Sequence, residues 1–97
     1  DLSRKNIQDN DGCDIAKILF SNSVLRTLQL EGNNLGPKSA HEFGKAMKTN
    51  KTLRLLDLES NQLTQDGEDL AGITFFIQGL SQNKSLISLN LANNKLE

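Results

Sequence analysis

The chain has no tryptophan and no tyrosine, and only four phenylalanines. The aromatic anchors that dominate tight protein-binding hot spots are therefore scarce, and a hydrophobic hot spot is not expected. A lone cysteine, Cys13, excludes an intrachain disulfide and leans the expected setting toward the cytoplasm. A lone histidine, His41, leaves little material for nucleophilic or metal chemistry. The net charge is −1, so no bulk field favours nucleic acid or an anionic membrane. There is no run of ~18 apolar residues, so no helical span of a bilayer is expected. Hydrophobic residues make up 36% of the 97, lean for a sphere around one central core. A stack in which each unit buries one thin layer against its neighbours suits that composition better.

What is present is a pattern written three times. Leu25-x-x-Leu28-x-Leu30-x-x-Asn33-x-Leu35 recurs as Leu53, Leu56, Leu58, Asn61 and Leu63, and again as Leu86, Leu89, Leu91, Asn94 and Leu96. The period is 28 from Leu25 to Leu53 and 33 from Leu53 to Leu86. Counting back 28 from Leu30 reaches Leu2, and from Leu35 reaches Ile7. We therefore expect a single array over 1–97 with repeats at about 1–24 (partial), 25–52, 53–85 and 86–97 (partial), part of a longer stack. In the first of these Lys5 stands where the asparagine should be, with Asn6 one residue late.

Between the motifs lie residues at helical spacing. They are Ile15, Ile18 and Leu19; Ala40, Phe43, Ala46 and Met47; and Ile73, Phe76, Ile77 and Leu80. Each set predicts one apolar stripe facing the strands. Pro37 suits a first helical position. Asp11 and Asp66, each three residues before another aspartate, are expected N-caps. Asn22, Asn50 and Asn83 each sit three residues before a strand leucine. They are expected to end helices in the left-handed conformation. Asn50-Lys51-Thr52 and Asn83-Lys84-Ser85 also fit a glycosylation sequon, but the recurrence has a backbone reason. The extra length of the second full repeat falls within about Thr64–Gly72, as a longer loop or an added helical turn.

Units of this length, with Leu-x-x-Leu-x-Leu-x-x-Asn-x-Leu and an Asn-x-Thr/Ser-Leu approach to each strand, resemble the ribonuclease-inhibitor class of leucine-rich repeats. That class includes ribonuclease inhibitor, Ran GTPase-activating protein, tropomodulin-type actin caps and NOD-like receptor sensors. Leu58-Glu59-Ser60-Asn61 is similar to tropomodulin repeats. The resemblance implies an α/β solenoid, a right-handed α/β superhelix with parallel strands on its concave side and helices on its convex side.

Strand residues alternate sides. If Leu28, Leu30, Leu56, Leu58, Leu89 and Leu91 point inward, then Thr27, Gln29 and Glu31, Leu55, Asp57 and Glu59, and Ser88 and Asn90 line the concave face. They fall in columns, one running Glu31–Glu59 and another Gln29–Asp57–Asn90. The face is acidic, and a basic protein partner would relieve the repulsion between Glu31 and Glu59. The competing expectation is that both glutamates splay into water, or pair with Arg26 and Arg54. Asn33, Asn61 and Asn94 are expected to satisfy the backbone of the turn after each strand, since an amide both donates and accepts.

Catalytic templates fail on these residues. A calcium loop with Gly12 at its sixth position would put Ile7 first and Ile18 last, and neither ligates calcium. Cys13 and His41 stand 28 apart, hence as neighbours in successive repeats, without an orienting third group. No P-loop occurs. A charge-stabilising arginine at Arg26 or Arg54 rests on family analogy alone. The sequence thus predicts a non-enzymatic protein–protein interaction scaffold with no cofactor, no metal, no nucleic acid and no membrane contact. The alternative is a structural spacer or capping segment of a larger actin-regulatory, innate-immune-sensor or GTPase-regulator array. Self-association is expected where Leu86, Leu89, Leu91 and Leu96 lack a covering repeat.

Overall fold

The leucine spacing translates into three strands of three residues, β1 (Thr27–Gln29), β2 (Leu55–Asp57) and β3 (Ser88–Asn90). They pair in parallel in the order β1-β2-β3, in an unclosed sheet. The computed structural model describes residues 1–95; Leu96, the last leucine of the third motif, lies outside them, as does the end of the fourth expected repeat. The register sets Leu28 against Leu56 and Leu56 against Leu89. Residues near the start of the chain run beside β1: Leu2 N donates to Gln29 O and Arg4 N to Glu31 O, each at 2.9 Å.

Three helices, α1 (Asp9–Ser21), α2 (Pro37–Thr49) and α3 (Ala71–Leu80), form the second layer, with α2 between the other two. None of the described helices is long and apolar enough to cross a membrane. The core lies between the layers, where Leu30, Leu35, Phe43, Met47, Leu53, Leu56, Leu58, Leu63 and Phe76 are wholly buried. Each such side chain stabilises by roughly 1.5–3 kcal/mol. The third strand is less covered: Leu89 is 37% exposed, against 6% for Leu28.

The helical stripes differ from expectation at two positions. Ile18 and Ile77 are exposed, while Ala16 and Gly79 are buried. Gly12, Ala16 and Leu19 form the inward line of α1, and Ile18 lies about 200° round the helix from Ala16. Where the helices approach most closely only small residues fit, as at Gly12 and Gly79, and Ile18 and Ile77 turn outward, while Leu19, Ile73 and Phe76 stay in the core.

The expected N-caps are also corrected. Helix α1 begins at Asp9 after Gln8, so Asp11 sits inside its first turn. Helix α3 begins at Ala71, and Asp66 lies in the preceding turns with φ +58°. A carboxylate does cap a helix here, but across repeats. Asp9 accepts from Gly36 N at 2.9 Å, Lys38 N at 3.3 Å and Ser39 N at 2.8 Å. Gly36, the N-cap of α2, has no side chain of its own to fill that role. Asp9→Ala should therefore destabilise the fold by about 1 kcal/mol, read as a lowered urea midpoint; an unmoved midpoint would remove this cap from the account.

Asn22 and Asn50 end their helices in extended, not left-handed, backbone, with φ of −83° and −70°, and Asn83 has no positive φ either. The left-handed position lies elsewhere. It recurs at Arg4, Gly32, Ser60 and Asn93, in the turn that leaves each strand. The extra length of the second repeat becomes a loop of turns rather than added helix. Gln65, Asp66 and Gly67 are left-handed there, and Thr64, fully buried, holds the loop by donating to Asn94 O or Lys95 O at 2.9 Å and accepting from Gly67 N at 2.9 Å.

Candidate protein-binding face

On the side of the sheet away from the helices the register sets Thr27, Leu55 and Ser88 abreast, and Gln29, Asp57 and Asn90 abreast. Glu31 and Glu59 follow one step on, where Leu30 N donates to Asp57 O and Gly32 N to Glu59 O, both at 2.9 Å. Thr27 and Ser88 are exposed; Gln29, Glu31, Leu55, Asp57, Glu59 and Asn90 are half-buried. The face is polar, with Leu55 its one large apolar side chain.

Some of these side chains also serve the backbone. Asp57 Oδ1 accepts from Glu59 N and Asn90 Oδ1 from Ala92 N, both at 3.0 Å, and Asp1 Oδ1 accepts from Ser3 N at 2.8 Å. These are equivalent positions, so a short Asx side chain shapes each strand's exit. Gln29 is the exception in that column.

The carboxylates on this face meet no cation among the described residues. Among the described residues the ion pairs join Glu42 to His41 and Lys45, and Asp66 to Lys95. The expected pairing with arginine is absent. Arg26 Nη1 donates to Val24 O at 3.1 Å, and Arg54 Nη1 to Thr52 O at 3.2 Å and Lys51 O at 3.3 Å. Both guanidiniums satisfy loop carbonyls instead. Glu59 Oε1 accepts from Asn90 Nδ2 at 3.0 Å, whereas Glu31 Oε1 is buried and meets no donor among the described residues. Leaving such an acceptor unmet costs about 1–3 kcal/mol.

Behind the strands, asparagine amides join neighbouring repeats. Asn61 Nδ2 donates to Leu58 O at 3.0 Å in its own repeat and to Leu30 O at 3.1 Å in the one before, and its Oδ1 accepts from Leu35 N at 3.0 Å. Asn33 makes the same pattern with Leu30 O, Leu2 O, Lys5 N and Ile7 N, and Asn94 with Leu91 O, Leu58 O and Leu63 N. A second line at the opposite end of the repeats escaped the sequence reading. Asn50 Nδ2 donates to Leu19 O and Asn22 O, and Asn83 Nδ2 to Met47 O and Asn50 O, at 3.0–3.1 Å. The Oδ1 atoms accept from the backbone leading into the strands, Leu25 N, Leu53 N and Leu86 N, at 2.7–2.8 Å. The signal was there: asparagine, never glycine, stands at this position.

Cys13 and His41 line one open cleft of about 320 Å³ between neighbouring helices. His41 stacks on Phe75 with ring centroids 4.2 Å apart. Burial pushes the Cys13 thiol up, and the Asp9 carboxylate adds to it, so the thiol is disfavoured as a nucleophile. Among the described residues no three His, Cys, Asp or Glu side chains are grouped to hold a metal.

The family model described as Leucine Rich repeat matches residues 21–43 and 49–67. The two segments contain the first and second motifs. No curated protein matches the chain.

Proposed function

We propose, from the premise that this chain is a leucine-rich-repeat protein, that it is a non-enzymatic scaffold whose strand face takes a basic segment of a partner protein. Leucine-rich repeats are commonly protein-interaction modules and are generally non-catalytic. In this reading the repeats coil as a right-handed solenoid, the strand face is its hollow side, and the protein works in the cytoplasm.

The observation that carries the proposal is the set of carboxylates on Glu31, Asp57 and Glu59, none paired with a cation among the described residues. Lysine or arginine from a partner would supply charge-assisted bonds at these positions. Rotation of Glu31 would release its unmet oxygen to an incoming donor. The near absence of apolar and aromatic groups makes electrostatic steering, rather than a buried hot spot, the source of recognition.

A synthetic peptide rich in arginine and lysine, followed by fluorescence anisotropy, tests this. Glu31→Lys and Glu59→Lys reverse two charges; Asp57→Asn removes the third and keeps the oxygen that shapes the strand exit. The triple variant should bind at least roughly tenfold more weakly, and added salt should weaken the wild type. Unchanged affinity would move the site off this face.

The partial exposure of Leu89 on β3 favours a second reading, in which the chain is a spacer or capping segment of a larger array and another repeat or another copy covers that edge. Capture of the basic peptide by a longer chain but not by this one would select it.

A further inference from the structure

The net charge of −1 conceals a segregation. Where the helices return to the strands, a cleft of about 680 Å³ is lined by Lys48, Lys51, Arg54 and Lys84 and by no carboxylate. Of these only Lys48 lies in the last turn of a helix, where a cation offsets the helix dipole. The other three stand on the loops, beyond what that effect explains. Ile87, 82% exposed, adds an apolar side chain to the lining.

The cleft is held in shape by the second asparagine line. Asn83 Nδ2 donates to Asn50 O at 3.0 Å, tying one loop to the next. Arg54 Nη1 lies 3.5 Å from Ser85 O across the same gap. Two loops 33 residues apart in sequence are thus joined, and Lys51, Arg54 and Lys84 line the one cleft between them.

We propose that this cleft is a second binding site, for an acidic peptide segment of a partner protein bearing an apolar side chain among its carboxylates. The argument is charge complementarity joined to shape. The volume falls in the range of about 300–1,000 Å³ typical of ligand pockets, room for a few residues and not for a nucleic-acid duplex. The lining offers no aromatic ring on which a base stacks. It offers instead lysine stems and Ile87, which suit a leucine or valine side chain. The inference is independent of the strand-face reading, since the two surfaces differ in sign and in the residues that form them.

The test is anisotropy of a labelled eight-residue Asp/Glu peptide with a central leucine, bound to the intact chain. Lys51→Glu with Lys84→Glu, both at exposed positions, should weaken binding at least roughly tenfold, with an unchanged circular dichroism spectrum. If that variant fails to fold, Lys51→Gln with Lys84→Gln should still weaken it severalfold. Ile87→Ser should remove the preference for the leucine peptide over one with glycine at that place. Neither inorganic phosphate nor a single-stranded oligonucleotide of matched charge should displace the peptide at equal concentration. Binding indifferent to the lysine changes, or to the leucine, would overturn the proposal. Displacement by the oligonucleotide or by phosphate would also overturn it, as would sedimentation showing self-association that the lysine variant abolishes, which would make a second copy the occupant.

Discussion

Asn50→Ala should destabilise the chain more than the same change at Asn61 or Asn34. Asn50 is buried, and its amide is the partner through which Leu53 N and Asn22 O are satisfied. Alanine leaves both without a partner, at about 1–3 kcal/mol for the buried Leu53 N and a smaller cost for the part-buried Asn22 O. Leu19 O is less affected, because Asn22 N also donates to it at 3.3 Å. Asn61 makes as many bonds, but Leu30 O retains Asn33 Nδ2 and Leu58 O retains Asn94 Nδ2. Asn61→Ala therefore orphans chiefly Leu35 N, for about 1–3 kcal/mol in all. Asn34, exposed and with a side chain bonded to Gln8 alone, serves as control, with a shift under about 0.5 kcal/mol. Urea denaturation should rank the three variants Asn50, Asn61, Asn34. Equal midpoints for Asn50→Ala and Asn34→Ala would show that the second asparagine line does not hold the repeats together.

Gly79→Ala is expected to destabilise by about 2 kcal/mol, against its helix propensity. In the interior of a helix alanine is favoured over glycine by about 1 kcal/mol, so the usual sign is stabilising. Here α2 and α3 touch through their backbones. A Cβ on Gly79 would run into the carbonyl oxygen of Gly44, and one on Gly44 would meet Phe75 O at 2.9 Å. A backbone oxygen has no rotamer with which to move aside, so the helices must separate. Separation loosens the layer above Phe43 and Phe76, both fully buried. A lowered thermal midpoint for Gly79→Ala is the expected result. A raised one would mean that the helices pack less closely than this contact requires.

The parts of the fold that were legible in the sequence are those fixed by residues close together in the chain. The leucine offsets within each motif give the strands, and their repetition gives the register that sets Gln29 beside Asp57 and Asn90. Pro37 marks the start of α2. What misled were positions whose partners sit a repeat away. Asp11 and Asp66 look like caps by local spacing, but the side chain that caps α2 is Asp9, 27 residues before Gly36. Asn22, Asn50 and Asn83 suggested a backbone conformation, whereas their amides bond to loops and neighbouring repeats. The left-handed turn residue has no signature, because Arg4, Gly32, Ser60 and Asn93 share no side-chain chemistry.

The same reason governs the surfaces. The acidic strand face could be written down from alternation alone, since its columns follow from the period. The basic cleft could not. Lys48, Lys51, Arg54 and Lys84 read as scattered cations until stacking brings consecutive loops together. A near-neutral chain thus carries two surfaces of opposite sign, and composition averages them away.

The most direct test of the proposed strand-face site is an amide-resolved NMR titration of the chain with the arginine- and lysine-rich peptide. The account predicts saturable shifts at Gln29, Glu31, Asp57, Glu59 and Asn90, with the outward residues of α2 unmoved. Shifts confined to the helices, or none at peptide concentrations where a basic ligand should saturate, would contradict it.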